Sequence, residues 1–417
     1  MTWREVAAAV GLLGNDQGGD AVRPTIFAEM SALATRTGAV NLGQGFPDAD
    51  GPAHVVEAAR AALLAGRNQY APGDGVPELR RAIADHQARH YGLHRDPDTE
   101  VLVTTGATEG LAAAVLALAG PGDDVVALEP AYDSYAAVTA MAGARLRTAP
   151  LALRGATPRG GRPDEAPRFA LDVAALRAVV GERTRVILLN TPHNPTGAVL
   201  TADDLAEVAR LATAVGAVVV TDEVYEHLTF DGAVHVPLAT LPGMAERTLT
   251  VSSAGKTLSL TGWKVGWVTG PAALVGAVRT VKQFLTYTSG APLQPAVAAA
   301  LADEDGRVAA YVADLRASLA RRRDVLSAGL REAGFDVAVP AGGYFVVADA
   351  APLGFDDGAR LCRELPDRVG VVAVPVAAFC QAGSPAAAQL RSWLRFTFVK
   401  GDDVVAEGVR RLARLAR

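Results

Sequence analysis

The chain has 417 residues, 50% of them hydrophobic and 20% charged, which favours two to three domains with a core that needs no disulfide or metal. Forty Lys and Arg residues against 45 Asp and Glu residues give a formal net charge of −5, and this balance argues against a general nucleic-acid binder. The two cysteines, Cys362 and Cys380, argue against a disulfide framework or a zinc site and are compatible with a reducing cytosol.

The first fifty residues show little regular pattern. Residues 6–13 are apolar, but they are too few to span a bilayer and lack the basic segment that precedes a signal peptide's apolar region. A polar, glycine-rich stretch follows at 14–20, so residues 1–22 are expected to form an extension before the folded part. A helix is predicted from Pro24 to about Thr37, and a loop from Val40 to Asp50.

From residue 52 onward, helical and strand-like segments alternate. Helical periodicity covers 53–65, 76–91, 107–119, 133–142, 172–180 and 202–215. Strands are predicted at Val101–Thr104, Val125–Leu128, Arg145–Ala149, Val186–Asn190, Ala217–Asp222, Thr248–Val251 and Val265–Thr269. This order predicts an α/β fold in which a mostly parallel sheet is covered by helices on both faces.

The last third of the chain changes in character. Consecutive helices are predicted from about 293 to 333, then strands at Tyr344–Ala348 and Trp393–Val399, and amphipathic helices that end with Val404–Leu415. This pattern predicts a second, smaller α+β unit. The Arg-, Gly- and Pro-rich segment 153–168 is predicted to be an exposed loop.

Polar motifs follow four of the predicted strands. Ligands of open α/β sheets bind at the carboxyl ends of the strands, so these motifs are expected to share one crevice. Small residues after the first strand would leave helix N–H groups free for a phosphate. Each motif alone also has a plain explanation: a turn, a helix cap or a solvated lysine. The motifs are Thr105–Gly110, Asn190–Gly197, Thr221–Tyr225 and Ser252–Thr257.

Together these groups match the needs of pyridoxal 5′-phosphate. A lysine holds the cofactor aldehyde as a Schiff base, and a carboxylate keeps the pyridine nitrogen protonated. An amide and a phenol can bind the ring hydroxyl, while a serine and a second lysine can bind the phosphate. No dinucleotide motif competes, because Gly43-Gln-Gly45 lacks a preceding strand and a third glycine.

These motifs resemble those of the class I/II aminotransferases, pyridoxal-phosphate enzymes of fold type I. The resemblance is carried by Ser253-Ala-Gly-Lys256-Thr257, Thr261-Gly-Trp-Lys264, Asn190-Thr-Pro-His-Asn194-Pro-Thr-Gly197 and Thr221-Asp222-Glu-Val-Tyr225. Asn41-Leu-Gly-Gln-Gly45-Phe-Pro-Asp48 and Asn68-Gln-Tyr70 are similar to the kynurenine and methionine aminotransferase subgroup. Phe27–Ala34, Glu129–Tyr135 and Arg395–Lys400 are most similar to the actinobacterial N-succinyldiaminopimelate aminotransferases.

The resemblance assigns a role to each candidate site residue. It implies Lys256 as the Schiff-base lysine and proton shuttle, Asp222 as the partner of the pyridine nitrogen, and Asn194 and Tyr225 as contacts of the ring hydroxyl. The catalytic set is thus Lys256, Asp222 and Tyr225. Further cofactor contacts are implied for Ala107, Thr108, Ser253 and Lys264 at the phosphate, Tyr132 on the ring face, and Tyr70 from a neighbouring subunit. Substrate contacts are implied for Arg395, Gly45, Asn194 and Phe27.

The resemblance also implies the reaction and the assembly. An amino group would move from an L-amino acid to a 2-oxo acid, with N-succinyl-L,L-diaminopimelate and 2-oxoglutarate as the first candidate pair. A cytoplasmic homodimer with shared active sites is expected, without metal, nucleic acid or membrane. A large domain over 51–299 and a discontinuous small domain over 23–50 and 300–417 are expected. The alternatives are a β-lyase or specialised biosynthetic enzyme on the same fold, or a binding protein without activity.

Overall fold

The computed structural model describes residues 2–14, 22–155 and 167–415, and its elements are numbered in chain order. The strands are β1 (Val40–Asn41), β2 (Val101–Thr105), β3 (Asp124–Glu129), β4 (Arg145–Pro150), β5 (Ala152–Arg154), β6 (Arg168–Ala170), β7 (Thr184–Asn190), β8 (Val218–Asp222), β9 (Thr248–Ser253), β10 (Val265–Thr269), β11 (Asp336–Ala338), β12 (Phe345–Asp349), β13 (Val371–Val372), β14 (Val374–Pro375) and β15 (Trp393–Thr397). The helices are α1 (Trp3–Ala9), α2 (Ile26–Thr37), α3 (Ala53–Leu64), α4 (Pro77–Tyr91), α5 (Gly106–Leu118), α6 (Asp133–Met141), α7 (Val173–Val179), α8 (Ala202–Val215), α9 (Ala254–Thr257), α10 (Ala272–Leu285), α11 (Gln294–Ala302), α12 (Arg307–Glu332), α13 (Gly358–Val369), α14 (Pro385–Gln389) and α15 (Asp402–Leu412).

A seven-stranded sheet lies at the centre, in the order β2-β10-β9-β8-β7-β3-β4. Strands β9, β8, β7, β3 and β4 are parallel to one another. Strand β10 runs antiparallel to both β2 and β9. It therefore begins at the edge of the sheet where the other strands end. The predicted mostly parallel sheet is confirmed.

Alternating side chains of the central strands face two separate cores. On β3, Val125 and Ala127 pack with Leu111 of α5 and Val275 of α10. Their neighbours Val126 and Leu128 belong to the core on the opposite face, which the helices α7 and α8 complete. Because both faces are covered, the middle of a central strand such as β3 is apolar on both sides. The result is the predicted three-layer α/β/α arrangement.

A smaller antiparallel sheet, in the order β11-β12-β15-β14, follows in the C-terminal part. Strand β1 pairs in parallel with β13, and Met30 of α2 packs in one core with Leu326 and Leu330 of α12. The segment before residue 50 thus packs against the last third of the chain. Domain limits at 50/51 and 299/300 stay a prediction.

Several predicted boundaries are corrected. Helix α2 begins at Ile26 rather than Pro24, because the Thr25 hydroxyl caps it by accepting a hydrogen bond from the Ala28 amide at 3.2 Å. The predicted loop from Val40 contains β1. The predicted loop 153–168 has paired ends, because β5 and β6 form a hairpin. Residues 156–166 within that loop, and residues 15–21 of the predicted lead-in, lie outside the described residues.

Some elements were missed by the sequence pattern. Helices α10 and α13 and the short strands β11, β13 and β14 were not predicted, whereas the helices predicted between residues 53 and 215 are present with ends shifted by at most one residue. Across the described ranges, no helix combines the length and apolar character needed to cross a membrane.

Candidate active site

A cavity of about 230 Å³ lies at the edge of the central sheet where the parallel strands end. Strands β2, β7, β8 and β9 end there, and β10 begins there. Most of the residues predicted to hold a cofactor line this cavity: Ala107, Thr108, Tyr132, Asn194, Asp222, Tyr225, Ser253, Lys256 and Lys264. The four strand-end motifs therefore meet at one place.

Asp222 is a buried carboxylate at the end of β8. Tyr135 of α6 donates a hydrogen bond from Oη to Asp222 Oδ2 at 2.8 Å. Burial raises the pKa of Asp222 to about 6, and the hydrogen bond from Tyr135 offsets part of that rise. A turn rather than a helix follows, with the Glu226 amide donating to the Glu223 carbonyl at 2.8 Å, so the alternative of a helix cap is wrong. The turn brings Tyr225 into the cavity wall.

An anion-binding corner is formed where α5 begins. Gly106, Ala107 and Thr108 form the first turn of this helix and line the cavity. A Cβ atom on Gly106 would lie 3.2 Å from Nζ of Lys264, so the lysine lies directly against the helix start. A Cβ atom on Gly266 would lie 2.6 Å from the Gly106 carbonyl carbon and 2.7 Å from the Ala107 nitrogen. Free helix N–H groups beside an ammonium favour a bound phosphate.

Lys256 extends from the short helix α9, directly after β9. Its Nζ donates a hydrogen bond to Tyr344 Oη at 2.8 Å, and Tyr344 Oη donates to the Gly45 carbonyl at 2.6 Å. The buried ring of Tyr344 lies edge-on to the ring of Tyr225, with 5.1 Å between the centroids. These contacts hold the lysine amine against the phenol of Tyr344, 5.8 Å from the ring centroid of Tyr225, and connect it to the predicted substrate residue Gly45.

Arg395 lies on β15 of the smaller sheet and reaches the same region. Its Nη1 donates to Asn194 Oδ1 and its Nη2 donates to the Gly43 carbonyl, both at 3.0 Å. The guanidinium carbon lies 3.9, 4.6 and 5.3 Å from the ring centroids of Phe345, Phe379 and Phe27. The predicted substrate residues Phe27, Gly45, Asn194 and Arg395 are thus linked to the cavity by direct contacts.

Among the described residues, no carboxylate forms an ion pair with the Arg395 guanidinium within 4.0 Å, and the carboxylate of Asp133 acts on it from a greater distance. The side chain is 2% exposed, which rules out the alternative that it faces solvent. Burial lowers the pKa of Arg395 to about 10, and the guanidinium stays charged at neutral pH. A buried charge without a counterion is costly, so an anion bound at this guanidinium would stabilise it.

Tyr70 does not line the cavity. Its side chain is 83% exposed, so the alternative that it is a core residue is wrong. The ring lies edge-on to Tyr287 with 5.6 Å between the centroids. Phe284 at the end of α10 is 86% exposed. Exposed aromatic side chains of this kind are frequent where a second protein molecule binds.

Three residues that the sequence did not single out complete the site: Tyr135, Asn190 and Tyr344. Asn190 accepts a hydrogen bond from the Asn194 amide at 2.6 Å and donates to the Asp222 carbonyl at 2.8 Å, so it fixes the loop that follows β7. Tyr135 and Asn190 lie in quoted motifs, and their position beside predicted site residues is the signal that was available. Tyr344 lies in an apolar run that reads only as a strand.

Comparison with known proteins gives consistent results. The family profile described as aminotransferase class I and II matches residues 37–412. The chain is 56% identical over 396 residues to the probable N-succinyldiaminopimelate aminotransferase of Mycobacterium tuberculosis, covering 94% of this chain and 96% of that protein. It is 37% identical to the methionine aminotransferase of Escherichia coli, with the same coverage. The solved structure of the Mycobacterium tuberculosis N-succinyldiaminopimelate aminotransferase superposes with a TM-score of 0.87, at 55% identity, covering 94% of this chain and 97% of that one.

Proposed function

Because this chain belongs to the class I and II aminotransferases, we propose that it uses pyridoxal 5′-phosphate to transfer the amino group of N-succinyl-L,L-diaminopimelate to 2-oxoglutarate. It is an aminotransferase with the fold of the fold type I enzymes. The donor rests on one observation, the 56% identity over nearly the whole chain to a protein of that name, and the acceptor is the one that the family resemblance implies. The β-lyase alternative is not favoured by these relatives.

The residues of the cavity fit pyridoxal phosphate. The phosphate would bind at the first turn of α5 and at Lys264, where cationic and N–H groups meet. Asp222 is a buried carboxylate whose side-chain partner is the neutral phenol of Tyr135, so a protonated ring nitrogen would supply the missing positive charge. We propose that Lys256 holds the cofactor covalently and that Asn194, Tyr225, Ser253 and Tyr132 make the remaining contacts.

When bound, pyridoxal phosphate supplies an electron sink that lets the substrate α-carbon lose a proton. The protein must then move that proton. We propose that the amine of Lys256 takes the proton from the α-carbon and returns one to the cofactor carbon that receives the nitrogen. Tyr344 Oη accepts a hydrogen bond from Nζ of Lys256 at 2.8 Å, so this phenol would orient the amine for the transfer.

The substrate's α-carboxylate is assigned to Arg395. Its planar guanidinium can bind both carboxylate oxygens at once, and the aromatic rings around it exclude water. Asn194 links this arginine to the cofactor region through the 3.0 Å contact. Gly45 and Phe27 would bound the space beside the substrate. The transferring carbon would thus lie between Arg395 and Lys256.

Tyr70 is assigned to the active site of a neighbouring subunit. Its phenol is exposed and lies outside the cavity of its own chain, whereas a phenol can donate a hydrogen bond to a phosphate in a second molecule. We therefore propose a homodimer with shared sites. The free cysteines Cys362 and Cys380 fit a reducing cytoplasm, where we propose that the enzyme acts.

A donor screen tests the proposed reaction. The purified enzyme, loaded with pyridoxal phosphate, is supplied with 2-oxoglutarate and one of N-succinyl-L,L-diaminopimelate, methionine, glutamine or kynurenine, and glutamate formation is measured. The succinylated donor is expected to give the highest kcat/KM, and Lys256→Ala is expected to abolish both glutamate formation and the visible absorbance of the bound cofactor. A higher kcat/KM with another donor contradicts the substrate assignment. Release of ammonia without a 2-oxo acid contradicts the transfer reaction.

A further inference from the structure

A second cavity, of about 620 Å³, lies beside the first, and Ser253 lines both. It collects four of the seven histidines of the chain: His86, His90, His227 and His235. None of these four belongs to the proposed transfer reaction. The proposed transfer reaction therefore does not explain why four imidazoles line this second cavity.

Three of these imidazoles face one another. His86 and His90 are four residues apart on α4 and therefore lie on one face of that helix. His227 comes from the turn after β8, and its Nε2 lies 2.8 Å from Nε2 of His86. The ring centroid of His90 lies 4.4 Å from that of His86 and 5.0 Å from that of His227. One nitrogen from each ring falls within 4.8 Å of the other two.

We propose that His86, His90 and His227 bind a divalent transition-metal ion of the zinc type, with an open coordination position facing the 620 Å³ cavity. Imidazole nitrogens are preferred ligands of Zn²⁺, Co²⁺ and Ni²⁺, and three protein ligands with one free position are a common zinc arrangement. A tetrahedral ion at 2.0–2.1 Å from each nitrogen needs nitrogens about 3.3 Å apart. The 2.8 Å pair would have to open by about 0.5 Å, and nitrogens that now lie up to 4.8 Å apart would have to move closer as the ion binds.

A fixed negative charge lies next to this site. Glu226 Oε2 is 4.0 Å from His227 Nε2. The carboxylate is buried and accepts hydrogen bonds from Tyr91 Oη and Ser252 Oγ, each at 2.6 Å. Both oxygens are engaged, so Glu226 acts as a neighbouring charge rather than as a ligand. Its charge would offset part of the cost of holding a dication away from bulk water.

The fourth histidine has a different partner. His235 Nε2 lies 2.8 Å from Glu223 Oε2, and both side chains are buried. His235 is thus committed to this pair, and the metal site consists of the other three histidines. An ion held by them would join α4 to the turn that contains Tyr225, and so would stiffen the segment directly after Asp222.

Metal titration of the enzyme loaded with pyridoxal phosphate tests the site. After dialysis against a chelator and its removal, Zn²⁺ is titrated by calorimetry at pH 7.5, and Co²⁺ by visible absorbance at wavelengths beyond those of the cofactor. The wild-type protein is expected to bind one equivalent. His90→Gln and His227→Gln are expected to weaken binding at least about tenfold. His94→Gln, which changes an exposed histidine three residues beyond α4, is the matched control and is expected to bind like wild type.

His90 is exposed, so His90→Gln is expected to keep the fold, and it decides the test if His227→Gln does not fold. The proposal is overturned if wild type takes up no stoichiometric zinc, or if His90→Gln binds zinc as tightly as the His94→Gln control. In either case the three imidazoles form a hydrogen-bonded cluster only. Activity is not the readout, so this result does not depend on the proposed substrate.

Discussion

Two buried side chains of opposite charge, Asp222 and Arg395, determine what the cavity can bind. Asp222 has a phenol as its side-chain partner, and Arg395 contacts an amide and a backbone carbonyl. Each charge therefore has neutral dipoles as its hydrogen-bond partners, while Lys256 acts on Asp222, and Asp133 on Arg395, from a greater distance. Such groups bind a ligand of complementary charge strongly, because no ion pair in direct contact has to be broken before the ligand binds.

Replacing Arg395 tests the carboxylate assignment. Arg395→Lys keeps the charge but loses the planar fork that contacts two oxygens, so KM for the amino donor is expected to rise at least about tenfold. Arg391→Lys changes an exposed arginine on the same approach to β15 and is expected to leave KM within about twofold. Steady-state kinetics with varied donor measure both. Equal KM values for the two variants would contradict the role of Arg395.

The pH dependence of cofactor binding tests Asp222. Its pKa is raised to about 6 by burial, so cofactor affinity is expected to fall as the pH drops through about 6, where the carboxylate that pairs with the ring nitrogen becomes protonated. Tyr135→Phe removes a hydrogen bond that lowers this pKa, so the midpoint is expected to move to higher pH. Dissociation constants measured from pH 5 to 8 give both midpoints.

The control for Tyr135→Phe is Tyr311→Phe, which removes another hydrogen-bonded phenol, 2.9 Å from Ser259 Oγ, outside the cavity. A midpoint unchanged in Tyr135→Phe would contradict the assignment.

The raised pKa of Asp222 also affects the folding stability of the cofactor-free protein, with a pH dependence opposite to that of cofactor affinity. The carboxyl of Asp222 contributes to its stability fully below the ordinary pKa of 3.8, and that contribution is lost as the pH rises through about 6.

At the level of elements, the cavity depends on how closely β10 approaches the start of α5. Side-chain types and spacings predicted both elements, because α5 is strongly apolar and β10 is rich in β-branched residues. Neither property reveals that β10 is antiparallel, since strand direction depends on the connection to its neighbours. The helix α10 that follows it was missed although its buried residues Val275, Val278 and Lys282 recur at helical spacing.

A pair of glycine substitutions tests the close approach. The Cβ atom of Gly266→Ala would lie 2.6 Å and 2.7 Å from backbone atoms of Gly106 and Ala107, so the start of α5 must move. Cofactor affinity is expected to fall at least about tenfold, with a lower melting temperature. Gly276→Ala lies within α10 with no atom inside 4 Å of the added Cβ and is expected to raise stability by about 0.5–1 kcal/mol. Equilibrium dialysis measures the cofactor affinity of both variants, and thermal unfolding measures their melting temperatures. A Gly266→Ala variant with wild-type affinity and melting temperature would contradict the close approach.

At the level of the whole molecule, the sequence pattern predicted the layers of the fold better than the contacts between residues that are far apart in the chain. Arg395 and Lys256 are 139 positions apart, and the contact of Arg395 with Asn194 depends on how β15 packs beside the central sheet. Local patterns carry no information on such packing, and only the resemblance assigned these residues to one site. Tyr344 was missed for the same reason, because its role depends on a lysine 88 residues away.

The proposed dimer is tested at the exposed aromatic patch of Tyr70, Phe284 and Tyr287. Their exposure is large for apolar side chains, and burial in a second subunit would stabilise them. Phe284→Glu is expected to convert a dimer into a monomer and to lower activity, since Tyr70 would no longer reach its partner site. Val325→Glu, on an exposed position of α12, is the control and is expected to stay dimeric. Sedimentation velocity measures the state, and a fully active wild-type monomer would contradict the proposal.

The direction of β10 has a consequence for how this enzyme can change. Since β9 ends and β10 begins at the same edge of the sheet, the connection between them carries both Lys256 and Lys264. One lysine is assigned to the cofactor aldehyde and the other to its phosphate, two groups at a fixed distance within one small molecule. An insertion or deletion between residues 256 and 264 would change that distance. This connection is therefore expected to keep its length among functional variants, even where its side chains differ.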